Sequence, residues 1–313
     1  KTVAIGGETV VLGADDRLED GAQPGAAYVF ERTGESWSER TKLVPEDRAA
    51  LDRFADSLAV SENTVIGGAP FADEPNGENA GAAYVFERSG GSWAQTAKLV
   101  APDGDPKDNF GTSVALAGET ALVGASSDED RNGPESGSVY VFERAKGSWT
   151  HRATLAPDDG MAGMGFGWTV ALSNRTALVG APFTDDPNGD RSGAVYVFER
   201  SDGEWIQRAK LTPEGGDPRD RFGWDVALVD GAALVGTPEE SDPNGPEAGA
   251  AYVFERVDGS WRERTKLVPG DGDPRDSFGE TVALGADFAL VGAPDDDEPN
   301  GENAGSAYLY DVE

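Results

Sequence analysis

A phenylalanine that returns every 56 residues constrains this sequence more than any other feature. It stands at five positions, Phe54, Phe110, Phe166, Phe222 and Phe278. Glycine follows four of the five, and Ala55 follows the first. A fixed period of this size is typical of repeat proteins, in which each repeat is one supersecondary unit. The sequence therefore predicts a single domain with repeats at about 1–53, 54–109, 110–165, 166–221, 222–277 and 278–313.

Each repeat reads as four short strands. In the third repeat, apolar runs cover 114–116, 121–125, 138–142 and 149–155, separated by turns rich in Gly, Asn and Asp. The runs are rich in β-branched and aromatic residues, and the connections are too short for helices. Each repeat is thus expected to form a four-stranded antiparallel meander.

The third strand indicates how the repeats pack. Tyr28 and Phe30 point to one face of the strand and Val29 to the other, so both faces are apolar and both need cover. Sheets stacked as blades provide that cover, which predicts an all-β fold, a six-bladed β-propeller. A parallel β-helix is the alternative, but its repeats are usually much shorter. No fourth strand follows Tyr310, so the sixth blade is expected to have three strands, with the fourth supplied by residues before Lys1 or by another chain.

The net charge of the chain limits the classes of partner that it can bind. Asp and Glu number 58 against 26 Lys and Arg, which gives a formal net charge of −32. Such a surface is typical of a halophilic protein, with an ordinary acidic secreted protein as the alternative. It disfavours nucleic acid and anionic membranes as partners. No apolar run is long enough to insert into a bilayer. The sequence has no cysteine, which excludes disulfides and thiolate metal sites.

Two short motifs resemble a known family. Phe110-Gly111, together with Gly68-Ala69-Pro70 and its copies, is similar to the FG-GAP repeat proteins, which include the N-terminal propeller of integrin α subunits. Trp93 and Lys98-Leu99 in the fourth strand are most similar to bacterial and archaeal members. The resemblance implies an extracellular, non-enzymatic binding or adhesion module with a protein or glycan ligand. Integrin-type calcium loops lie between strands one and two, where this chain has only a tight turn at 117–120, so that site is excluded.

The loops after the second strands carry carboxylates at alternate positions followed by glycine. Oxygen ligands with this spacing resemble the first half of a calcium loop, although the closing Glu is missing. Asn-Gly also favours a tight turn, so a metal site and a plain turn both stay open. The candidate ligands are Asp128, Asp130 and Asn132 in the third repeat, and Asp296, Glu298 and Asn300 in the sixth.

The loops after the fourth strands are the second place where a cation could bind. They should emerge at the same end of each blade as the loops after the second strands, which would form an acidic rim. The candidate ligands are Asp103, Asp105, Asp108, Asp271, Asp273 and Asp276. Three carboxylates at this spacing suit one Ca²⁺ ion with waters. Alternatively, the last of the three caps backbone N–H groups before the phenylalanine.

No catalytic constellation stands out. His151 is the only histidine and falls on an outer strand, and no nucleophile motif accompanies it. Trp168 and Trp224 follow Phe-Gly in two repeats only and could form a ligand platform, or pack between blades. The sequence thus favours a cell-surface recognition module with a ligand face on the acidic rim. A structural subunit that assembles with its own copies through the sixth blade is the alternative, and a hydrolase is the least favoured.

Overall fold

The computed structural model describes residues 2–16, 22–73, 76–185, 188–241, 244–297 and 301–312. Within these ranges the chain forms strands and turns. The same ranges contain no helix long and apolar enough to cross a membrane. The chain divides into two compact units, Lys1–Ala156 and Pro157–Glu313, and each holds three sheets.

The first unit contains three four-stranded sheets. The first blade consists of β1 Val3–Gly6, β2 Thr9–Ala14, β3 Ala26–Thr33 and β4 Ser36–Leu43. The second consists of β5 Ser57–Ser61, β6 Thr64–Ala69, β7 Ala82–Ser89 and β8 Ser92–Leu99. The third consists of β9 Phe110–Ala117, β10 Thr120–Ala125, β11 Ser138–Ala145 and β12 Ser148–Leu155.

The second unit repeats this arrangement, except in its last sheet. The fourth blade consists of β13 Thr169–Ser173, β14 Thr176–Ala181, β15 Ala194–Ser201 and β16 Glu204–Leu211. The fifth consists of β17 Val226–Val229, β18 Ala232–Thr237, β19 Ala250–Val257 and β20 Ser260–Leu267. The sixth consists of β21 Thr281–Leu284, β22 Phe288–Ala293 and β23 Ser306–Asp311.

Every sheet is an antiparallel meander in which consecutive strands pair. The prediction of an all-β, six-bladed propeller fold is confirmed, and so is the three-stranded sixth blade. The turn between β9 and β10 holds only two residues, as the sequence predicts. That turn leaves no room for a cation loop.

The repeated phenylalanine is a core residue. Phe54 and Phe110 are at most 1% exposed. Phe110 packs on Tyr140 and Phe142 of its own blade, with ring centroids 5.4 and 6.1 Å apart. Tyr140 and Phe142 lie on one face of β11. An aromatic cluster of this kind is present in each of the second to sixth blades and stabilises it, since each cluster removes several apolar side chains from water.

The glycines of the two motifs meet between neighbouring blades. Gly68, in the second blade, lies so close to the third that an added Cβ would be 2.0 Å from the carbonyl oxygen of Gly111. Gly111 itself has a φ of +96°, a backbone conformation that favours glycine. The same contact joins Gly180 to Gly223 and recurs in the fifth and sixth blades. The Phe-Gly of one blade thus packs against the Gly-Ala-Pro region of the blade before it.

Two sheets leave one apolar face uncovered. In the first blade, Val3 and Ile5 of β1 are 66% and 69% exposed. In the sixth, Leu290 and Leu309 face each other across β22 and β23 and are 44% and 65% exposed. In the fifth blade the residue at the position of Leu290 is Leu234, which is fully buried. These two surfaces are called the first-blade face and the sixth-blade face below.

Candidate functional site

A tyrosine near the start of each third strand marks the place where two loops meet. One loop joins the second and third strands of the blade (the 2–3 loop), and the other follows the fourth strand of the preceding blade (the 4–1 loop). In the second blade, Tyr84 is 1% exposed, and Asp47 from the 4–1 loop hydrogen-bonds to it. Asn76 of the 2–3 loop donates to the carbonyl oxygen of Ala101, which ties its loop to the next 4–1 loop at 2.9 Å. Within each unit, therefore, the two acidic loops lie at the same end of the blades.

A lysine from the fourth strand completes the tyrosine cluster in four blades. Lys98 lies over the ring of Tyr84 with its Nζ 5.4 Å from the ring centroid and 2.6 Å from Asp47. Burial alone would raise the pKa of Asp47, but the hydrogen bond and charge of Lys98 outweigh it, and that pKa is lowered. The other three ion pairs join Lys42 to Asp16, Lys210 to Asp159, and Lys266 to Glu240.

The third blade differs, and it is where the predicted 2–3 loop ligands lie. The Tyr140 hydroxyl donates to Asp128 Oδ2 at 3.3 Å, and Asp103 from the preceding 4–1 loop lies beside it. Asp130 instead accepts from the backbone N–H of Asn132 and from the Ser136 hydroxyl, both at 2.6 Å. Those bonds make Asp130 and Asn132 part of a local turn, while Asp128 points toward the tyrosine.

The predicted 4–1 loop ligands separate in a similar way. Asp108 is 4% exposed, and its Oδ2 accepts from the backbone N–H of Asp105 at 2.6 Å. Asp276 accepts from Asp273 in the same way at 2.7 Å. Burial raises the pKa of Asp108 to about 6, against the lowering effect of that backbone hydrogen bond. The last carboxylate of this loop thus caps its own loop, as one of the two sequence interpretations expects.

The sixth blade holds the remaining predicted ligands. Asp296 is 3% exposed and accepts from the Tyr308 hydroxyl at 2.6 Å, and Asp271 also lies near that hydroxyl. Glu298 and Asn300 lie outside the described residues. Across the described part of the chain, no three Asp, Glu or His side chains come together as a metal site. Cation binding by the loops therefore stays a prediction.

The two predicted platform tryptophans pack against each other with their rings tilted by 47°. The ring centroids of Trp168 and Trp224 are 4.9 Å apart, and both side chains are half-buried. Phe183 packs edge-on against both, and the Arg221 guanidinium lies 5.4 Å from the Trp224 ring centroid. The arrangement joins the fourth and fifth blades, as the packing interpretation expects, and a ligand platform at these rings stays a prediction.

Asp225 is a buried carboxylate that sequence reasoning missed. Its Oδ1 accepts from Val226 N and from the Thr169 hydroxyl, and its Oδ2 accepts from Val282 N at 2.8 Å. Burial raises its pKa to about 6 despite these hydrogen bonds. The other repeats have Ser or Thr at this position, as at Thr281, and that difference is the signal that could have revealed it. Asp225 links the fourth, fifth and sixth blades.

His151 lies on β12, the outer strand of the third blade. Its Nε2 is 3.1 Å from the Thr154 hydroxyl, and its ring packs against Tyr140 and Phe142. These contacts are those of a residue that packs on its sheet.

Comparisons with known proteins agree with the architecture. The model of the FG-GAP repeat matches five segments, 37–86, 93–142, 149–198, 205–254 and 261–310. Human integrin alpha-6 is 31% identical over 119 residues, which are 35% of this chain and 10% of the integrin. Chicken integrin alpha-6 is 30% identical over 132 residues, which are 40% of this chain and 12% of the integrin. The chain thus spans about a tenth of the length of these curated relatives. With five matched repeats that cover most of its length, the chain belongs to the FG-GAP repeat family.

Proposed function

We propose that this chain is an extracellular recognition module of a halophilic organism, with its ligand face on the acidic ends of the blades. The observation that carries the proposal is the convergence of the 2–3 and 4–1 loops. In the first unit, the loops enclose an open cavity of about 460 Å³ lined by side chains that include Asp105, Asp108, Glu129 and Glu135. Loops held on a rigid β-scaffold are a common place for binding sites.

Charge complementarity suggests the partner. A surface that carries this many carboxylates attracts cationic groups, so a protein segment rich in Lys or Arg, or an aminated glycan, fits it best. The family relation to the integrin alpha chains supports binding rather than catalysis, and it supports an extracellular location. The repetition of nearly every acidic group from blade to blade also argues against a single catalytic centre.

Binding to a peptide array tests this proposal. The array carries Lys- and Arg-rich peptides beside neutral ones, and the salt concentration is high and fixed. We expect Glu129→Gln to reduce binding to the basic peptides. Glu39→Gln is the matched control, because it removes one charge from the outer strand and introduces the residue that the second blade carries there, Gln95. Equal losses in both variants would refute a ligand face on the loops.

Assembly with copies of the same chain is the second candidate, and the two exposed faces favour it. The sixth-blade face and the first-blade face are both apolar, and such surfaces are unusual on a monomer that is otherwise strongly charged. Stacking the sixth-blade face of one copy on the first-blade face of the next would bury both, as equivalent faces are buried between inner blades. Light scattering across a concentration series tests this. Leu309→Asp, which places a charge on that face, should keep the protein monomeric, and a wild-type monomer at millimolar concentration would refute assembly.

A further inference from the structure

The third blade lacks the lysine–carboxylate ion pair that the first, second, fourth and fifth blades have beside their tyrosine. In each of those four, a lysine from the fourth strand forms an ion pair with a carboxylate beside the tyrosine. In the third blade, Thr154 stands where the others have lysine. Two carboxylates, Asp103 and Asp128, meet there instead of one. The site has therefore gained an acid and lost its ammonium group.

The two carboxylates come from different loops, and the residues at their equivalent positions differ between the repeats. The position of Asp128 is held by Ala72 in the second blade and by Thr184 in the fourth, where Asp47 and Asp159 supply the single carboxylate. The position of Asp103 is held by glycine in the fifth blade, where Glu240 supplies it. Among the second, third, fourth and fifth blades, both positions are acidic only in the third.

Asp103, Asp128 and Thr154 line a cavity of about 400 Å³ that also contacts Asp130 and Arg131. Arg131 donates to the carbonyl oxygen of Ala156. Asp128 is 7% exposed, and burial raises its pKa, with Asp103 and Asp130 raising it further. Asp128 is buried and Asp103 is exposed, and two carboxylates that face the same space repel each other, which a bound cation would relieve.

A buried hydroxyl points to the ligand independently of the carboxylates. Ser138 also lines the cavity and is 1% exposed. It lies beside Asp128 and lowers the pKa of that group, but no partner among the described residues meets hydrogen-bond geometry at Ser138 Oγ. The equivalent residue in the other four-stranded blades is alanine. An oxygen that is buried without a partner costs free energy unless something binds it.

We propose that the cavity beside Tyr140 binds one calcium ion, held by the carboxylates of Asp103 and Asp128 and by the Ser138 hydroxyl. Calcium takes six to eight oxygen ligands and accepts water among them, so two carboxylates and a hydroxyl suffice as the protein's share. The ion occupies the place that the lysine ammonium takes in the neighbouring blades. The site combines one candidate ligand from each of the two kinds of loop, and it does not depend on the recognition role proposed above.

Isothermal titration calorimetry with calcium chloride on EDTA-treated protein tests the proposal. Tetramethylammonium chloride keeps the ionic strength high. This salt is chosen because its cation is too large to bind at the site in place of calcium. Thr154→Lys restores the lysine of the other blades, and Asp128→Asn removes one ligand at nearly constant volume. Each variant should bind one calcium equivalent fewer than the wild type. The matched control Lys98→Thr, which leaves only Asp47 beside Tyr84, should bind the same number as the wild type.

A thermal melt gives a second readout. At a calcium concentration about a hundredfold above Kd, the wild-type Tm should rise by about 4 °C. Calcium should raise the Tm of Thr154→Lys by less than it raises that of the wild type, because the variant has lost this calcium site. In EDTA the variant should have a higher Tm than the wild type, because its ammonium group takes the place of the ion. The proposal is overturned if the wild type takes up no calcium at about 10 mM, where even weak extracellular sites fill. It is equally overturned if Thr154→Lys and Asp128→Asn keep the full stoichiometry.

Discussion

The contact between the motif glycines gives the sharpest test of how the blades are joined. Gly236, at the end of the fifth blade's second strand, faces the sixth blade, and an added Cβ would lie 1.9 Å from the carbonyl oxygen of Gly279. Real Cβ atoms essentially never come closer than 3.0 Å to such an atom, so Gly236→Ala requires the two blades to separate by about 1 Å. The change adds only a methyl group and leaves the φ of residue 236 in an ordinary region.

Neither side of this contact can move freely. The carbonyl oxygen of Gly236 accepts from Gly223 N at 3.1 Å, and Gly279 N donates to Gly292 at 2.9 Å. The obstacle is backbone on both sides, so relief must come from the sheets and not from a side-chain rotation. Overpacking usually costs about 1–3 kcal/mol, and a backbone obstacle places Gly236→Ala at the upper end, about 3 kcal/mol. For a chain of 313 residues this corresponds to a fall in Tm of about 5 °C.

Urea unfolding followed by circular dichroism at fixed high salt measures the effect. Gly270→Ala is the matched control, because residue 270 has an ordinary φ and no atom within 4 Å of an added Cβ. The control should change the free energy of unfolding by less than about 1 kcal/mol, with any gain coming from the less flexible unfolded chain. If Gly236→Ala is as stable as Gly270→Ala, the glycine contact does not hold these blades together and the reasoning is wrong.

Three further predictions concern the core, the buried carboxylate and the surface. Phe222→Ala should lower the free energy of unfolding by about 4 kcal/mol, because the ring is fully buried. Urea unfolding checks this by comparing its midpoint with that of Phe288→Ala, whose ring is 50% exposed and which should lose less stability. The folded pKa of Asp225 is raised to about 6, above its unfolded value, so its contribution to stability is largest at low pH and is lost as the pH rises from about 4 through 6. The urea midpoint of Asp225→Asn should therefore fall less than that of the wild type between pH 4 and pH 7, and equal slopes would contradict the burial argument. Raising NaCl from 0.1 to 2 M should increase the wild-type Tm, since screening weakens repulsion within a net charge of −32, and a Tm that is flat across the series would rule out the halophilic interpretation.

The sequence predicted the blades well because their determinants are periodic. A third strand with apolar residues on both faces recurs in every repeat and a buried Phe in five of the six, so strand number, topology and the short sixth blade could all be predicted in advance. The acidic loops were harder, because spacing along a loop does not show which carboxylate turns inward. Asp108 bonds to its own loop, while Asp103, five residues earlier, reaches the tyrosine of the next blade. Only a comparison of repeats, with Thr154 against the lysines of its copies, contains the missing information.

Asp225 was missed for a related reason. A single Asp in a chain with 58 acidic residues does not attract notice, and its environment comes from three blades rather than from its neighbours in sequence. Its hydrogen bonds to Thr169 and Val282 span 56 and 57 positions. Such contacts follow from the stacking of sheets, which local patterns do not encode.

The glycine contact also bears on how repeat proteins of this kind change length. Within each unit, the residue after the repeated phenylalanine fits the blade before it, and the glycine near the end of the second strand fits the blade after it. A gene segment that encodes 56 residues can therefore be duplicated or deleted at almost any breakpoint, and every new junction still joins the same two surfaces. Unequal recombination could alter the number of blades without any further substitution at the junctions, so selection for copy number can act separately from selection on the loops.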